Sequence, residues 1–576
     1  MNAFESILQL KHYKKGDDMR RENELCSDLR ARTLQGGTCM AVATLLALPL
    51  AHSAEIETGN PNLKVRWDNT IKYTGGFRVK ERSVALANDM AQGGNQGDGD
   101  SNFGKGLISN RLDLLSELDL TYQNVGARIS GAAWYDTVYN RATSNNELPF
   151  LYNASSVPAN EFPDATRKLH GAKAELLDAF LFAKGDIDGT TATIRAGRHA
   201  LIYGESLFFG NNGIAGTMAP VDVVKLLSVP GSQFKEIIRP VGQISGQWQL
   251  QSNLSLGAFY QYQWQKTVLA GAGSYFSGAD FLDAGGERLF TGPGTSELHG
   301  ADRQPRNSGQ GGAQLRWSPE GSGVDLGLYA VHYSDKTPNV VLSPLTGIYR
   351  LFYQQNIKAF GASASTTLGS ANIALEASVR HNAPLVNSGT ADLFGLVPVA
   401  FGGPAQAADN DGNPSYPIGK TAHLNLSTLY QLPVFAYVPE STMAAELAWN
   451  RTTSVKRNAA ALDPNADRDA WSMRGVYEAT FRQALSGFDL SLPVGLSYSP
   501  KGRSSAVSAF GVHHGGDMSV GLNGVYLSTW YFGLNFTHFY GPESTAVVLH
   551  GAGTAYTYKQ NLKDRDFVSI SLRRTW

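Results

Sequence analysis

The segment Arg111-Leu112-Asp113-Leu114-Leu115-Ser116-Glu117-Leu118-Asp119-Leu120-Thr121-Tyr122-Gln123 separates into two faces. Its even positions hold Leu112, Leu114, Ser116, Leu118, Leu120 and Tyr122, while the odd ones hold Arg111, Asp113, Leu115, Glu117, Asp119, Thr121 and Gln123. A period of two is the mark of a β-strand, whose successive side chains point to opposite sides. One face is oily and the other charged. Leu254–Gln265 repeats the scheme, with Leu254, Leu256, Ala258, Tyr260, Tyr262 and Trp264 against a mostly polar set. Thr421–Tyr430 and Trp530–Tyr540 do the same. A soluble sandwich also alternates. Here, however, Tyr122, Tyr262, Trp264, Tyr430, Trp530 and Tyr540 gather at the ends of the oily faces, where the aromatic girdle of a membrane barrel belongs.

Working outward, alternation predicts strands at 65–79, 110–123, 126–139, 173–185, 190–203, 239–251, 254–267, 311–318, 323–334, 349–366, 371–381, 418–430, 440–454, 470–483, 487–498, 515–527, 530–541 and 565–576. That makes about eighteen, with sixteen as the alternative. Short turns and long polar loops alternate between them, the asymmetry of a transmembrane barrel whose long loops face outward. An even count brings both termini to the short-turn side. Hydrocarbon offers no partner to an unpaired N–H or C=O, so a spanning sheet must close on itself. The expected fold is therefore all-β, a single closed antiparallel transmembrane β-barrel over 55–576.

Composition agrees. Charged residues are 17% of 576, below the usual value of about 25%. Aromatics reach 10% and glycine 62 residues, a balance opposed to disorder. The net charge of −1 gives no reason to expect a nucleic-acid partner. Residues 39–51, with Leu45, Leu46, Leu48 and Leu50, form an apolar stretch too short for a spanning helix. Arg20, Arg21, Arg30 and Arg32 precede it and Ala51-His52-Ser53-Ala54 follows, the layout of a secretory signal cleaved near Ala54. Residues 1–38 are long for such a signal, so Met19 or a later codon is the expected start. Cys26 and Cys39 both lie in this leader, which leaves no thiolate chemistry for the exported chain. Phe567 and the terminal Trp576 frame an alternating last strand, the expected recognition signal for the barrel-assembly machinery.

Catalytic and metal motifs are absent: no Gly-x-Ser-x-Gly elbow, no His-Glu-x-x-His and no Walker loop. No enzyme activity, cofactor or metal is expected. Gly210–Gly216 lacks a following Lys-Ser/Thr and reads as loop glycine. His513-His514 reads as a surface pair. Asp409–Asn413 has Pro414 and Lys420 where a calcium loop needs Gly and an acid, so it reads as a turn. Asp98 and Asp100 belong to the same class.

The informative stretch runs from Gly197 to Gly242. Pro220–Leu227 predicts a short helix, with Pro220 in its first turn, Asp222 near its positive N-terminus and Pro230-Gly231 as its stop. An apolar loop with its own helix suits a third loop folded into the lumen. The alternative is an outward helix over the mouth. If the loop is inward, the candidate lumen and constriction residues are Tyr203, Glu205, Asp222, Lys225, Lys235 and Glu236, opposite Arg111, Asp113, Glu117, Asp119 and Arg198. Paired charges at a narrow point select solutes by charge and size. The competing role for each is an internal ion pair that only holds the loop.

The chain resembles the proteobacterial outer-membrane barrels of domain-of-unknown-function family 1302. The residues that carry this are Gly197-Arg198, Tyr203–Phe209, Gly213-Ile214-Ala215, Ala219–Lys225, Phe234-Lys235-Glu236 and Pro240-Val241-Gly242, with Arg111–Leu114, Glu117-Leu118-Asp119, Trp134-Tyr135-Asp136 and Glu175–Phe180 before them. The family usually has Trp where Tyr203 stands. The resemblance implies a channel or transporter-like barrel in the outer membrane of a Gram-negative bacterium, in contact with its lipids. It further implies a periplasmic, lipoprotein-like partner, an inner-membrane exporter of the RND type, and a hydrophobic or amphipathic cargo. A non-conducting docking barrel is the alternative, and a lipid-acting barrel enzyme the weakest one.

Overall fold

The computed structural model describes residues 54–86, 94–148, 151–187, 189–229, 232–292, 294–435, 437–550 and 553–576. The leader before Ala54, its cysteines and the Pro230-Gly231 stop lie outside these residues.

Eighteen strands make the barrel: β1 (Leu63–Arg78), β2 (Gly106–Tyr122), β3 (Val125–Asp136), β4 (Ala172–Ile187), β5 (Thr190–His199) and β6 (Val241–Gln251). They continue with β7 (Leu254–Gln261), β8 (Gln310–Trp317), β9 (Val324–Tyr333), β10 (Ile357–Leu368), β11 (Ala371–Pro384) and β12 (Ile418–Leu432). The last six are β13 (Glu440–Arg457), β14 (Asp469–Leu485), β15 (Phe488–Lys501), β16 (Gly516–Tyr526), β17 (Trp530–Tyr540) and β18 (Phe567–Thr575). Each pairs antiparallel with the next. β18 then pairs with β1, from Thr70↔Thr575 to Arg78↔Phe567, and closes the ring. Where β18 ends, Ala54–Ile56 takes its place against Val65–Trp67. Trp576 exchanges backbone hydrogen bonds of 2.8 and 3.0 Å with Asn69. Ala54–Ile56, where the described residues begin, and the C-terminal Trp576 therefore sit in the closing seam at the short-turn end.

Burial is inverted relative to a water-soluble domain. On β2 Leu112 and Leu114 are 40% and 42% exposed, whereas Arg111 and Glu117 keep 3% and 4%. The oily face points out and the polar face in, so hydrocarbon is the solvent this wall is built for. Among the described residues no helix is long and apolar enough to cross a membrane, and the crossing is made by strands.

All eighteen predicted strands are present, with revised ends. The predicted strand 349–366 is two elements. Its first part, Ile348–Phe352, belongs to a five-stranded sheet over the mouth with Arg288–Gly292, Thr295–His299, Asn339–Ser343 and Thr390–Ala391. The break falls at 353–356, where Asn356 adopts a left-handed φ of 57°. The predicted 254–267 ends at Gln261, so Trp264 does not join the girdle. It is 6% exposed among the loops, its ring 4.9 Å from Tyr353 and its indole N–H donated to the Asp335 carbonyl. Tyr122 and Tyr262 are exposed, as are Trp67, Trp248 and Tyr526. Tyr430, Trp530 and Tyr540 are half-buried on the oily-face parity of their strands. Phe567 instead packs inward against Phe276 and Tyr275. The outer loops are clamped by Arg78, fully buried between Asp100 and Asp564 at 2.9 Å each.

Candidate functional site

The connection 200–240 between β5 and β6 folds inward as a strap across the lumen. Its near end lies on β1–β4 and its middle on β11–β14, almost half-way round the ring. Two residues on that far wall hold it. Glu376 of β11 accepts the N–H groups of Glu205 and Ile214, each at 2.6 Å. Glu446 of β13 accepts those of Leu207 (3.1 Å), Phe208 and Phe209 (2.8 Å) on one oxygen. Both acids are buried. Arg380, four residues from Glu376 on the same face, donates to the carbonyls of Asn211, Asn212 and Gly213. The wall thus reads strap backbone with opposite charges for opposite dipoles, and charge-assisted bonds of this type are the strong ones. Asn212 bridges further to Asn425, Asn450 and His423.

The local sequence explains the approach. Gly204 has φ +101°, and a Cβ there would collide with the Glu376 carboxylate. Leu207 and Phe208 then pack on Ala444 and Val476, and Phe209 on Phe510. Tyr203, Ile214 and Met218 lie on an apolar bed of Phe259, Tyr329, Val331 and Ile357. Tyr203 has its ring 5.7 Å from Phe259 and its backbone N–H 3.0 Å from the Met218 Sδ.

At the near end the predicted helix exists but starts later. Helix α1 (Val223–Ser228) has Asp222 as its N-cap, at the positive N-terminus, and the Asp222 carboxylate accepts the Lys225 N–H at 2.9 Å. Pro220 and Val221 stay extended because Val221 bridges to Ile238. A second short helix, α2 (Phe234–Ile237), was not predicted. Its Glu236 accepts the Gln233 N–H at 2.8 Å, a one-turn cap that apolar periodicity does not signal.

The candidate charges do meet here, mostly as internal pairs. Arg111 grips Asp113 in a fork and lies 4.7 Å above the Trp134 ring. Lys225 reaches Glu175 at 3.3 Å and the same ring at 5.0 Å. Arg239 joins Glu175 (3.1 Å) to Asp222 (3.4 Å), and Glu236 faces Lys72 at 3.8 Å. Arg111, Asp113, Asp222, Lys225 and Glu236 are all buried. Arg111 and Asp113 face inward as the alternation requires and the strap covers them, while Asp222, Lys225 and Glu236 are the strap's own residues packed onto that wall, so none of the five lines an open path. Arg198 spends its guanidinium on the Leu177 carbonyl and the Gln265 side chain, without an ion pair among the described residues. Charges that stay reachable are Lys235 and Arg128, both on Glu117, with Asp119 at 3.4 Å from Arg128. Glu205 with Arg316 at 2.8 Å, and Arg474 with Asp517 at 3.1 Å beneath Phe208, complete the set.

Glu376, Glu446 and Arg380 were missed in the sequence. A signal was available: each acid stands between small residues on its inward face, as in Ala374-x-Glu376-x-Ser378 and Ala444-x-Glu446-x-Ala448. Among the described residues no group of three or more His, Cys, Asp or Glu side chains is arranged to hold a metal. Asp409–Asn413 is a turn, its Asp409 accepting the N–H groups of Asp411 and Asn413.

A family model described as "Protein of unknown function (DUF1302)" matches residues 35–575, nearly the whole chain. No curated protein matches. Among solved structures, OccAB2 of Acinetobacter baumannii is 8% identical, with 89% of this chain and 98% of that one covered at a TM-score of 0.41. OpdK of Pseudomonas aeruginosa with vanillate is 9% identical (88% and 98% covered, TM-score 0.38), and the outer membrane channel DcaP of A. baumannii 8% identical (89% and 98%, TM-score 0.34). These likenesses are loose, and the architecture rests on the chain's own strand pairing.

Proposed function

The chain belongs to the DUF1302 family, and from that premise we propose that it is an outer-membrane channel whose strap sets the constriction for a small amphipathic or hydrophobic solute. The observation that carries the reading is the strap itself, spanning the lumen and tied to the far wall through five backbone N–H groups on Glu376 and Glu446. A barrel serving only as an anchor has no need of a crosspiece with that much polar anchorage. The remaining surfaces suit an amphipathic solute. Reachable ion pairs (Lys235–Glu117, Glu205–Arg316, Arg474–Asp517) lie beside the half-buried aromatic face of Phe208. The long loops then face the exterior and the termini the periplasm. The reading assigns the chain no chemical step.

Reconstitution tests it. Planar bilayers and liposomes holding the pure protein are expected to show discrete conductance and uptake of amphipathic carboxylates or aromatics. Neither signal from correctly folded barrels overturns the channel.

One observation favours docking as a second role. The connection between β12 and β13 is the longest on the short-turn side and leaves Val434, Phe435 and Tyr437 75%, 77% and 96% exposed. Isolated exposed apolar groups are common, but three in one turn mark a contact surface. A periplasmic partner, passing cargo between this barrel and an inner-membrane exporter, fits there. Val434→Ser, Phe435→Ser and Tyr437→Ser together should then impair transport in cells while leaving conductance of the pure protein intact.

A further inference from the structure

The outer wall over β1–β5 is not smooth. Near the short-turn end it holds an open concavity of about 510 Å³, within the usual range of ligand sites. Strand pairing shows how it arises. Two rows of outward residues run side by side across the strands, Leu63–Tyr122–Val125–Ala183–Ile194 and Leu120–Ala127–Leu181–Ala196. Small side chains at Ala127, Ala183 and Ala196 break both rows, and the backbone of Gly126 opens the floor between them. Leu181 and Ile194, 66% and 52% exposed, stand as one bank. Tyr122 and Val125, 46% and 51% exposed, form the other.

We propose that this groove binds one hydrocarbon chain of a bilayer phospholipid from the leaflet at the short-turn end. The occupant follows from position. The groove is continuous with the oily outer face, so hydrocarbon and not water or protein covers it. Its lower end coincides with Tyr122 of the girdle, the level at which a lipid changes from headgroup to chain. Its lining carries no charged side chain, so shape selects the chain and headgroup charge has no part. Unlike the convex wall elsewhere, a concave apolar floor contacts the chain on several sides and holds it longer than its neighbours in the bilayer.

The test uses the full chain, purified from membranes and exchanged repeatedly into fresh detergent, with bound phospholipid counted by phosphorus assay and mass spectrometry. Wild type is expected to retain a single phospholipid. Ala127→Leu with Ala183→Phe fills the groove and should lower retention about tenfold, whereas Ala377→Leu on the oily face of β11 should not. Ala196→Leu serves as the second filling variant should the first fail to fold. Phosphatidylethanolamine and phosphatidylglycerol added back should be retained equally. No lipid on wild type, undiminished retention in the filled variants, equal loss in Ala377→Leu, or a preference for the anionic lipid would each overturn the proposal.

Discussion

Glu446 shows what a single side chain does here. One carboxylate oxygen receives three consecutive strap N–H groups, Leu207 to Phe209, and Asn425 binds the other oxygen at 2.7 Å. Glu446→Ala would leave those donors buried and unpaired, at about 1–3 kcal/mol each. Thermal unfolding in detergent should therefore fall by several degrees, and Glu446→Gln, which keeps an acceptor, should fall less. A second residue-level expectation concerns the outer loops. Asp98 and Asp280, from different loops, lie buried together, with the Asp280 carboxylate accepting the Asp98 N–H at 3.0 Å. Burial, reinforced by the Glu147 charge and only partly offset by the Asp98 N–H and by Arg565, pushes Asp280 up to about 6. Burial and the Asp280 charge raise Asp98 too, against Arg288. A carboxyl raised on folding stabilises the fold while protonated and loses that contribution as pH climbs from about 4 through about 6. Hydrogen exchange corrected for intrinsic rates should show residues 94–103 and 271–286 less protected at pH 7 than at pH 5. Asp280→Asn should remove the difference; unchanged protection in wild type would refute the assignment.

At the level of elements, strands were legible because period two needs only side-chain identity, and every predicted strand from Leu63 to Thr575 has its counterpart in the barrel. Strand ends were less so. Nothing in Tyr262-Gln263-Trp264 breaks the alternation, yet the chain leaves the sheet after Gln261 to let Trp264 join the loops. A helix was readable here from Pro220 and Asp222, though three residues early at its start, but the sheet over the mouth was not, because strands of two to five residues carry too few positions for a period. The charges of the strap were legible as a group. Which of them stay reachable depended on how the strap lies, and that is settled by Glu376 and Glu446, 171 and 239 residues away from their partners in sequence. Strand geometry offers its own prediction. Gly197 sits in β5 at φ +130°, where an added Cβ would collide with the Ala179 carbonyl oxygen. Gly197→Ala should disturb the β4–β5 pairing just before the strap begins, lowering the yield of heat-modifiable, folded barrel. An unaffected yield would mean that this bend is dispensable.

For the whole molecule the argument is one of solvent. The oily face is exposed, the charged face is enclosed, and the ring has no free edge because β18 and the N-terminal segment share the flank of β1. Leu375→Arg on the outer wall should thus cost insertion about 2–4 kcal/mol if it lies at mid-bilayer depth, measurable as reduced folding into liposomes. On the proposed reading, the strap within that wall decides what passes. Single-channel conductance of the reconstituted protein with and without both far-wall tethers tests this most directly. Glu376→Ala with Glu446→Ala should free the strap, giving a conductance well above wild type and noisier in time. A folded double variant whose conductance and noise match wild type would contradict the account.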